Sequence, residues 1–170
     1  EGTLAADLEV AAYGSYYRAG HSEEEGLAFG DVLSSAKELG APTIRVWAGR
    51  LGSAEADPAQ RRRVAEDSRR IAEMAAADGI SVAFEYHAVT LTDTNESAAQ
   101  LLEEVGHPNI RTFWQPPIGM DRAYCLEGLE RSIDSGRLES IHVFYLWPDA
   151  KRLPLYQGAA RWSSYLNLLR

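Results

Sequence analysis

The sequence predicts a parallel α/β fold. Three observations predict it. Five short runs rich in β-branched and aromatic residues begin at Leu8, Thr43, Ile80, Ile110 and Ser140. Their starts lie 30 to 37 residues apart, the interval that parallel α/β repeats occupy. Each run is followed by an amphipathic stretch bounded by helix start and stop signals.

The first run, Leu8–Tyr13 (LEVAAY), reads as a strand, and Gly14–Gly20 (GSYYRAG) as a polar, aromatic loop. A helix is expected over Ser22–Leu39. Ser22 with Glu25 forms a capping-box pattern there, and Gly40 and Pro42 form a stop. Thr43–Trp47 (TIRVW) is the second strand, with Ile44 and Val46 on one face and Arg45 and Trp47 on the other. Asp57 and Pro58 occupy preferred N-cap and N1 positions of a long helix that Gly79 closes.

The central strand is Ile80–His87 (ISVAFEYH). Val82, Phe84 and Tyr86 form its apolar face. Ser81, Ala83, Glu85 and His87 form a face that ends in a carboxylate and an imidazole. A carboxylate ending a core strand is costly unless paired, hydrogen-bonded or metal-bound. Asp93 with Glu96 reads as a capping box for the next helix, which Gly106 stops. Ile110–Gln115 (IRTFWQ) is the fourth strand, ended by Pro116 and Pro117. Asp121 caps the helix after it. Ser140–Leu146 (SIHVFYL) is the fifth strand, with Ser140, His142 and Phe144 as its inward set. A last helix, about Ala159–Leu169, carries Trp162, Tyr165, Leu166 and Leu169 on its apolar side.

Two architectures accommodate five βα units: an open doubly wound sheet, or an arc of a (β/α)8 barrel. An open sheet gathers ligands at one switch point and decorates few strand ends. A barrel brings every C-terminal strand end to one site. Here all five ends carry residues that are expensive to bury: Tyr16 and Arg18; Arg45 and Trp47; Glu85 and His87; Trp114 and Gln115; His142 and Tyr145. That succession favours a partial barrel.

The composition narrows function. Lys plus Arg number 17 against 25 Asp plus Glu, a net charge of −8, which argues against sequence-independent nucleic-acid binding. No apolar run is long enough to span a bilayer. Cys125 is the only cysteine, so there is no internal disulfide and no cysteine-based zinc site. This fits a reducing, cytoplasmic setting. Cys125 falls on a helix and reads as packing. His21 and His107, next to helix ends, read as surface residues.

The stretches AAYGSYYRAG, APTIRVWAG, SVAFEYHAVTLTDT, IRTFWQPP and IHVFYLWPD…LPLYQGAARW, in this order and spacing, are similar to the sugar phosphate isomerase/epimerase group of xylose-isomerase-like TIM barrels. The resemblance implies one domain over residues 1–170, corresponding to barrel strands three to seven, with strands one, two and eight lacking at the two ends. It implies metal-assisted proton or hydride transfer next to a carbonyl of a sugar, sugar phosphate or related polyol, or dehydration of a related keto-polyol. The metal would be Mn²⁺, Mg²⁺, Co²⁺ or Zn²⁺, held by Glu85, Gln115 and His142. Gln115 stands where the family commonly has Asp, and Phe144 where it often has a second His. Glu85 would serve as ligand or base, the catalytic residue of this chain. Tyr16, Arg18, Arg45, Trp47, His87 and Trp114 would meet the substrate. For Arg45 a barrel-core ion pair is the competing reading, and for the tryptophans and Tyr16 simple packing at the mouth. A metal-free sugar-binding or regulatory barrel, or an inactive fragment, is the alternative function. Pairing with another copy would cover the open edges of such an arc.

Overall fold

The computed structural model describes residues 2–147 and 150–170. Pro148 and Asp149 of the WPD stretch lie outside the described residues. After a four-residue helix, α1 (Gly2–Ala5), the chain runs β1 (Tyr13–Arg18), α2 (Phe29–Leu39), β2 (Thr43–Trp47), α3 (Pro58–Ala76), β3 (Ser81–Glu85) and α4 (Asn95–Val105). It continues through β4 (Ile110–Trp114), α5 (Arg122–Asp134), β5 (Leu138–Ile141), a 3₁₀ turn (Leu155–Gly158) and α6 (Ala159–Asn167). The strands are parallel and lie in the order β1-β2-β3-β4-β5. Unbroken sequential order is the winding of a TIM barrel; a doubly wound sheet reverses at a switch point. The five βα units therefore form the expected arc.

Alternation within each strand sets what faces the helices. Tyr17, Ile44, Val46, Val82, Phe84 and Ile110 turn outward, into a core with Phe29, Ile71 and Leu101. A second, smaller core lies under α5 and α6 and contains Tyr86, Trp114, Cys125, Leu129, Trp162 and Tyr165. Each large apolar side chain fully buried in this way contributes about 1.5–3 kcal/mol. No helix among the described residues is long and apolar enough to cross a membrane.

Several boundaries differ from those expected. The first strand is Tyr13–Arg18, in the segment read as a loop, while Leu8–Ala12 pairs with nothing. Strand propensity needs a neighbour, and β2 offers partners only from Tyr13 onward. Helix α2 starts at Phe29 instead of Ser22. The Ser22 hydroxyl accepts from the Arg18 amide at 2.7 Å, and Gly26, at φ 88°, breaks the turn before a helix can propagate. The α2 N-terminus is capped from outside by Glu23, which accepts from the Phe29 amide at 3.0 Å. Asp93 does not cap α4. Thr94 does, because Asp93 is spent on the Ser53 amide at 2.9 Å.

The fifth strand is Leu138–Ile141. Beyond His142 the chain leaves the sheet and folds back on itself, with Leu146 bridging Arg152. Phe144 is therefore not an inward strand residue; its carbonyl accepts from the Trp162 indole at 2.7 Å. On α6, Trp162 and Tyr165 are buried as expected, but Leu166, and Leu169 just beyond the helix, are exposed.

A polar clamp fixes the β1–α2 connection. Asp67 accepts from the Tyr17 hydroxyl at 2.9 Å and from the Gly20 amide at 2.7 Å, and Arg70 closes the cluster onto Asp67 and Glu23. Burial, reinforced by Asp67, raises the Tyr17 phenol well above its ordinary range, so it remains the donor.

Candidate active site at the strand ends

Glu85 ends the central strand on its inner face and is 8% exposed. Four groups hold it there. Arg45, on the neighbouring β2, forms an ion pair with Oε2. The Trp47 indole donates to the same oxygen at 2.7 Å. His142 Nδ1 lies 3.4 Å from Oε1. Behind, the Thr92 hydroxyl donates to the Glu85 backbone carbonyl at 2.6 Å. Burial pushes the carboxyl up, but hydrogen bonds from His142, Trp47 and Arg45 and the Arg45 charge outweigh it and hold Glu85 at about 2. The charge opens onto a cleft of about 540 Å³ on the inner side of the arc, lined among others by Gly14, Arg45, Phe113, Ser140 and His142.

Gln115, just beyond β4, accepts a hydrogen bond through its amide oxygen from His142 Nδ1 at 2.9 Å. Phe113 meets the His142 ring edge-to-face at 5.5 Å. Around Trp47 stand Arg18, 4.2 Å over the ring, Tyr16 edge-on at 5.7 Å, and His87 at 5.4 Å. Glu85, Gln115, His142, Arg45, Trp47, Arg18, Tyr16 and His87 are thus brought to one mouth.

Trp114 is not. Arg111, Phe113 and Gln115 alternate inward, so Trp114 points out, fully buried against Tyr165 at 5.3 Å. The substrate-binding role read for it is corrected to core packing. Two further residues are engaged by the protein itself. Arg45 takes the core ion-pair reading. Trp47 is covered by Arg18 and donates its N–H to Glu85, which leaves Tyr16, 75% exposed, as the open aromatic. His87 lies past the strand end, exposed beside Trp47, with Nδ1 against the Ala88 carbonyl at 2.7 Å.

His21 is buried, not a surface residue. Burial lowers its pKa first, and the charges of Arg50 and Arg63 lower it further. Sequence reasoning missed Phe113, which strand parity could have assigned. It also missed Thr92 and the space left by Gly14, where a Cβ would stand 3.0 Å from the Arg45 guanidinium. Neither carries a sequence signal of its own.

A model of the xylose isomerase-like TIM barrel family matches residues 4–117, two thirds of the chain. The chain belongs to this family. A 3-dehydroshikimate dehydratase of Bacillus anthracis is 41% identical over 68 residues, which are 40% of this chain and 24% of that protein. Among xylose isomerase-like structures, the probable 3-DHS dehydratase AsbF of Bacillus anthracis superposes with a TM-score of 0.81 at 21% identity, over 98% of this chain and 68% of that one. D-allulose 3-epimerase from Methylomonas sp. gives 0.69 at 16% identity, over 97% and 62%. The IolI protein, whose structure holds a zinc atom, gives 0.66 at 15% identity, over 95% and 64%. At these identities the structures establish the fold. The chain matches about a quarter of the curated relative and roughly two thirds of the solved ones.

Among the described residues no three His, Cys, Asp or Glu side chains are grouped to hold a metal. The donor set widens once the amide is counted. His142 Nδ1 stands 2.9 Å from Gln115 Oε1 and 3.4 Å from Glu85 Oε1. Neighbouring donors around a six-coordinate divalent ion are about 3 Å apart. Both separations are of that order, and both are also polar contacts of His142; Glu85 carries the only formal charge among the carboxylate and the amide.

Proposed function

We propose that this chain carries the working face of an enzyme that moves a proton beside a carbonyl in a small polyhydroxylated substrate. The observation that carries the reading is Glu85, held ionised at the centre of the arc by Arg45, Trp47 and His142 and open to a sugar-sized cleft. Removing a proton next to a carbonyl gives an enolate. Its reprotonation on the other face epimerises, its reprotonation on the neighbouring carbon isomerises, and expulsion of a β-hydroxyl dehydrates. One site can support all three classes, as the relatives' names suggest.

The chain's own residues divide the work. A carboxylate held at about 2 stays ionised, so Glu85 meets the substrate as a charged oxygen that takes the proton from the carbon beside the carbonyl and returns it, a weak base acting on an acidified C–H. Arg45 and Trp47 fix the direction of that charge by occupying Oε2, which leaves Oε1 toward the cleft. The Gln115–His142 pair supplies hydrogen-bonding groups for hydroxyls. A divalent metal, when bound, would be held by Glu85, Gln115 and His142 and would supply Lewis-acid stabilisation of a developing oxyanion. The metal-free sugar-binding alternative draws its support from Arg45, which already neutralises Glu85.

The test is turnover by the protein in D₂O. 3-Dehydroshikimate is followed for aromatic absorbance and D-allulose for deuterium beside its carbonyl by NMR. Turnover of either compound, abolished in folded Glu85→Gln, supports the proposal. No turnover with either, while sugars still bind, replaces it with the binding reading.

A further inference from the structure

Three guanidinium groups from the strands face the inner side of the arc or its rim, and only two are neutralised. Arg45 pairs with Glu85, and Arg111 with Glu139 at 3.3 Å. Arg50, on the loop after β2, pairs with Glu25 at 2.6 Å. Arg18, at the end of β1, has no carboxylate partner among the described residues. Its guanidinium lies 4.2 Å over the Trp47 ring, and its one hydrogen bond from that group goes to the Gly49 carbonyl at 3.3 Å. The remaining donors are unspent. In a chain of net charge −8, this leaves local positive charge beside the mouth.

The placement is also rigid. Arg18 is the register partner of Trp47, whose indole in turn donates to Glu85. The backbone N–H of Arg18 is tied to Ser22 at 2.7 Å, and the Ala19 amide donates to the Trp47 carbonyl at 2.9 Å. A guanidinium stacked on an indole has lost most of its rotamer freedom before any ligand arrives, and its edge remains free for a forked contact with two oxygens.

We propose that Arg18 is the anion-recognising residue of this mouth, and that the substrate carries a carboxylate or phosphate. The inference rests on the reading of the mouth as a polyol site and names the class of polyol. Tyr16 and His87, both exposed, stand against the same Trp47 ring.

Three probes of one carbon skeleton test it: neutral sorbitol, gluconate and sorbitol 6-phosphate. Binding is followed by calorimetry on the wild-type protein, Arg18→Gln, Arg18→Lys and Glu85→Gln, with circular dichroism to confirm folding. Charge-assisted contacts predict that gluconate or sorbitol 6-phosphate binds at least about tenfold tighter than sorbitol. Arg18→Gln should erase that preference, weakening the two anions at least about tenfold more than sorbitol, and Arg18→Lys should restore part of it. Which anion gains more distinguishes a carboxylate from a phosphate substrate. Equal binding of all three probes, or an anion preference that survives in Arg18→Gln, overturns the inference. If it falls that way while Glu85→Gln still weakens every probe, the polyol site stands without it. Failure of all three to bind overturns both.

Discussion

Replacing Glu85 by Gln removes one charge and keeps the side-chain volume. Arg45, whose side chain is 15% exposed, is then left facing a neutral amide. Removing one half of a buried ion pair costs about 3–5 kcal/mol. Titration gives a second figure. A carboxyl held at about 2 in the folded chain, against 4.5 ordinarily, contributes about 3 kcal/mol at pH 7. Because the folded value is the lower one, the contribution is complete above the ordinary value and fades as pH falls through the folded value. At pH 3 about 1.4 kcal/mol of it remains. The amide that replaces the carboxylate does not titrate, so the gap between wild type and Glu85→Gln should narrow on acidification. Urea unfolding of both at pH 7 and pH 3 measures it, provided the m-values agree. The expected gap is about 3 kcal/mol at pH 7 and less than half of that at pH 3. A gap below about 1 kcal/mol at pH 7, or one that does not change with pH, refutes the account of Glu85 as a buried, paired charge.

Three other outcomes follow from packing. An ideal Cβ on Gly128 of α5 would lie 2.0 Å from the Asn95 amide oxygen, whereas one on Gly30 of α2 meets nothing within 4 Å. Gly128→Ala should therefore destabilise by about 1–3 kcal/mol and Gly30→Ala should stabilise by about 0.5–1 kcal/mol, read from thermal melts. Asp67→Ala strands the Tyr17 hydroxyl and the Gly20 amide; it should cost about 2–4 kcal/mol and speed hydrogen exchange at Gly20. Trp114→Phe should cost about 1–2 kcal/mol through lost packing while leaving sorbitol 6-phosphate binding unchanged; weakened binding would place Trp114 in the site after all.

The parts of this chain most legible in its sequence are those fixed by local chemistry. Asp57-Pro58 begins α3 as read, Asp121 caps α5, and Gly40 and Gly106 end α2 and α4 with φ of 66° and 59°. The β2 boundaries agree residue for residue. The misses occur where another backbone amide claims the cap. Ser22 and Asp93 look like caps, but Ser22 accepts from Arg18, four residues back in the turn that ends β1, and Asp93 accepts from Ser53, a contact that only the tertiary fold creates. The site divides in the same way. Glu85 announced itself by its cost at a strand end, and Gln115 and His142 by the family pattern. Trp114 was misread because a strand end was taken as a point, when parity gives it two faces. Had Arg111 and Phe113 been counted inward first, Trp114 could only have pointed out.

The register explains why Glu85 serves the fold before any chemistry. Arg45, Ala83 and Arg111 are Cα partners on three adjacent strands, so two guanidinium groups start from one level of the inner face with only a small side chain between them. Two strand spacings, about 10 Å, separate their Cα atoms, and two unit charges at that distance repel by about 1.7 kcal/mol at an effective dielectric near 20. Each turns to its own carboxylate, Arg45 to Glu85 and Arg111 to Glu139, which Thr43 also binds at 2.7 Å. Activity lost in Glu85→Gln alone therefore mixes a structural cost with a chemical one. Arg45→Met with Glu85→Gln separates them, because removing both members of a buried pair is often close to neutral. The double variant should regain at least half of the stability lost in Glu85→Gln by urea unfolding. It should regain none of the turnover, because the carboxylate that takes the proton is still missing. Recovery of turnover along with stability would reduce Glu85 to a counter-ion for Arg45 and remove it from the reaction.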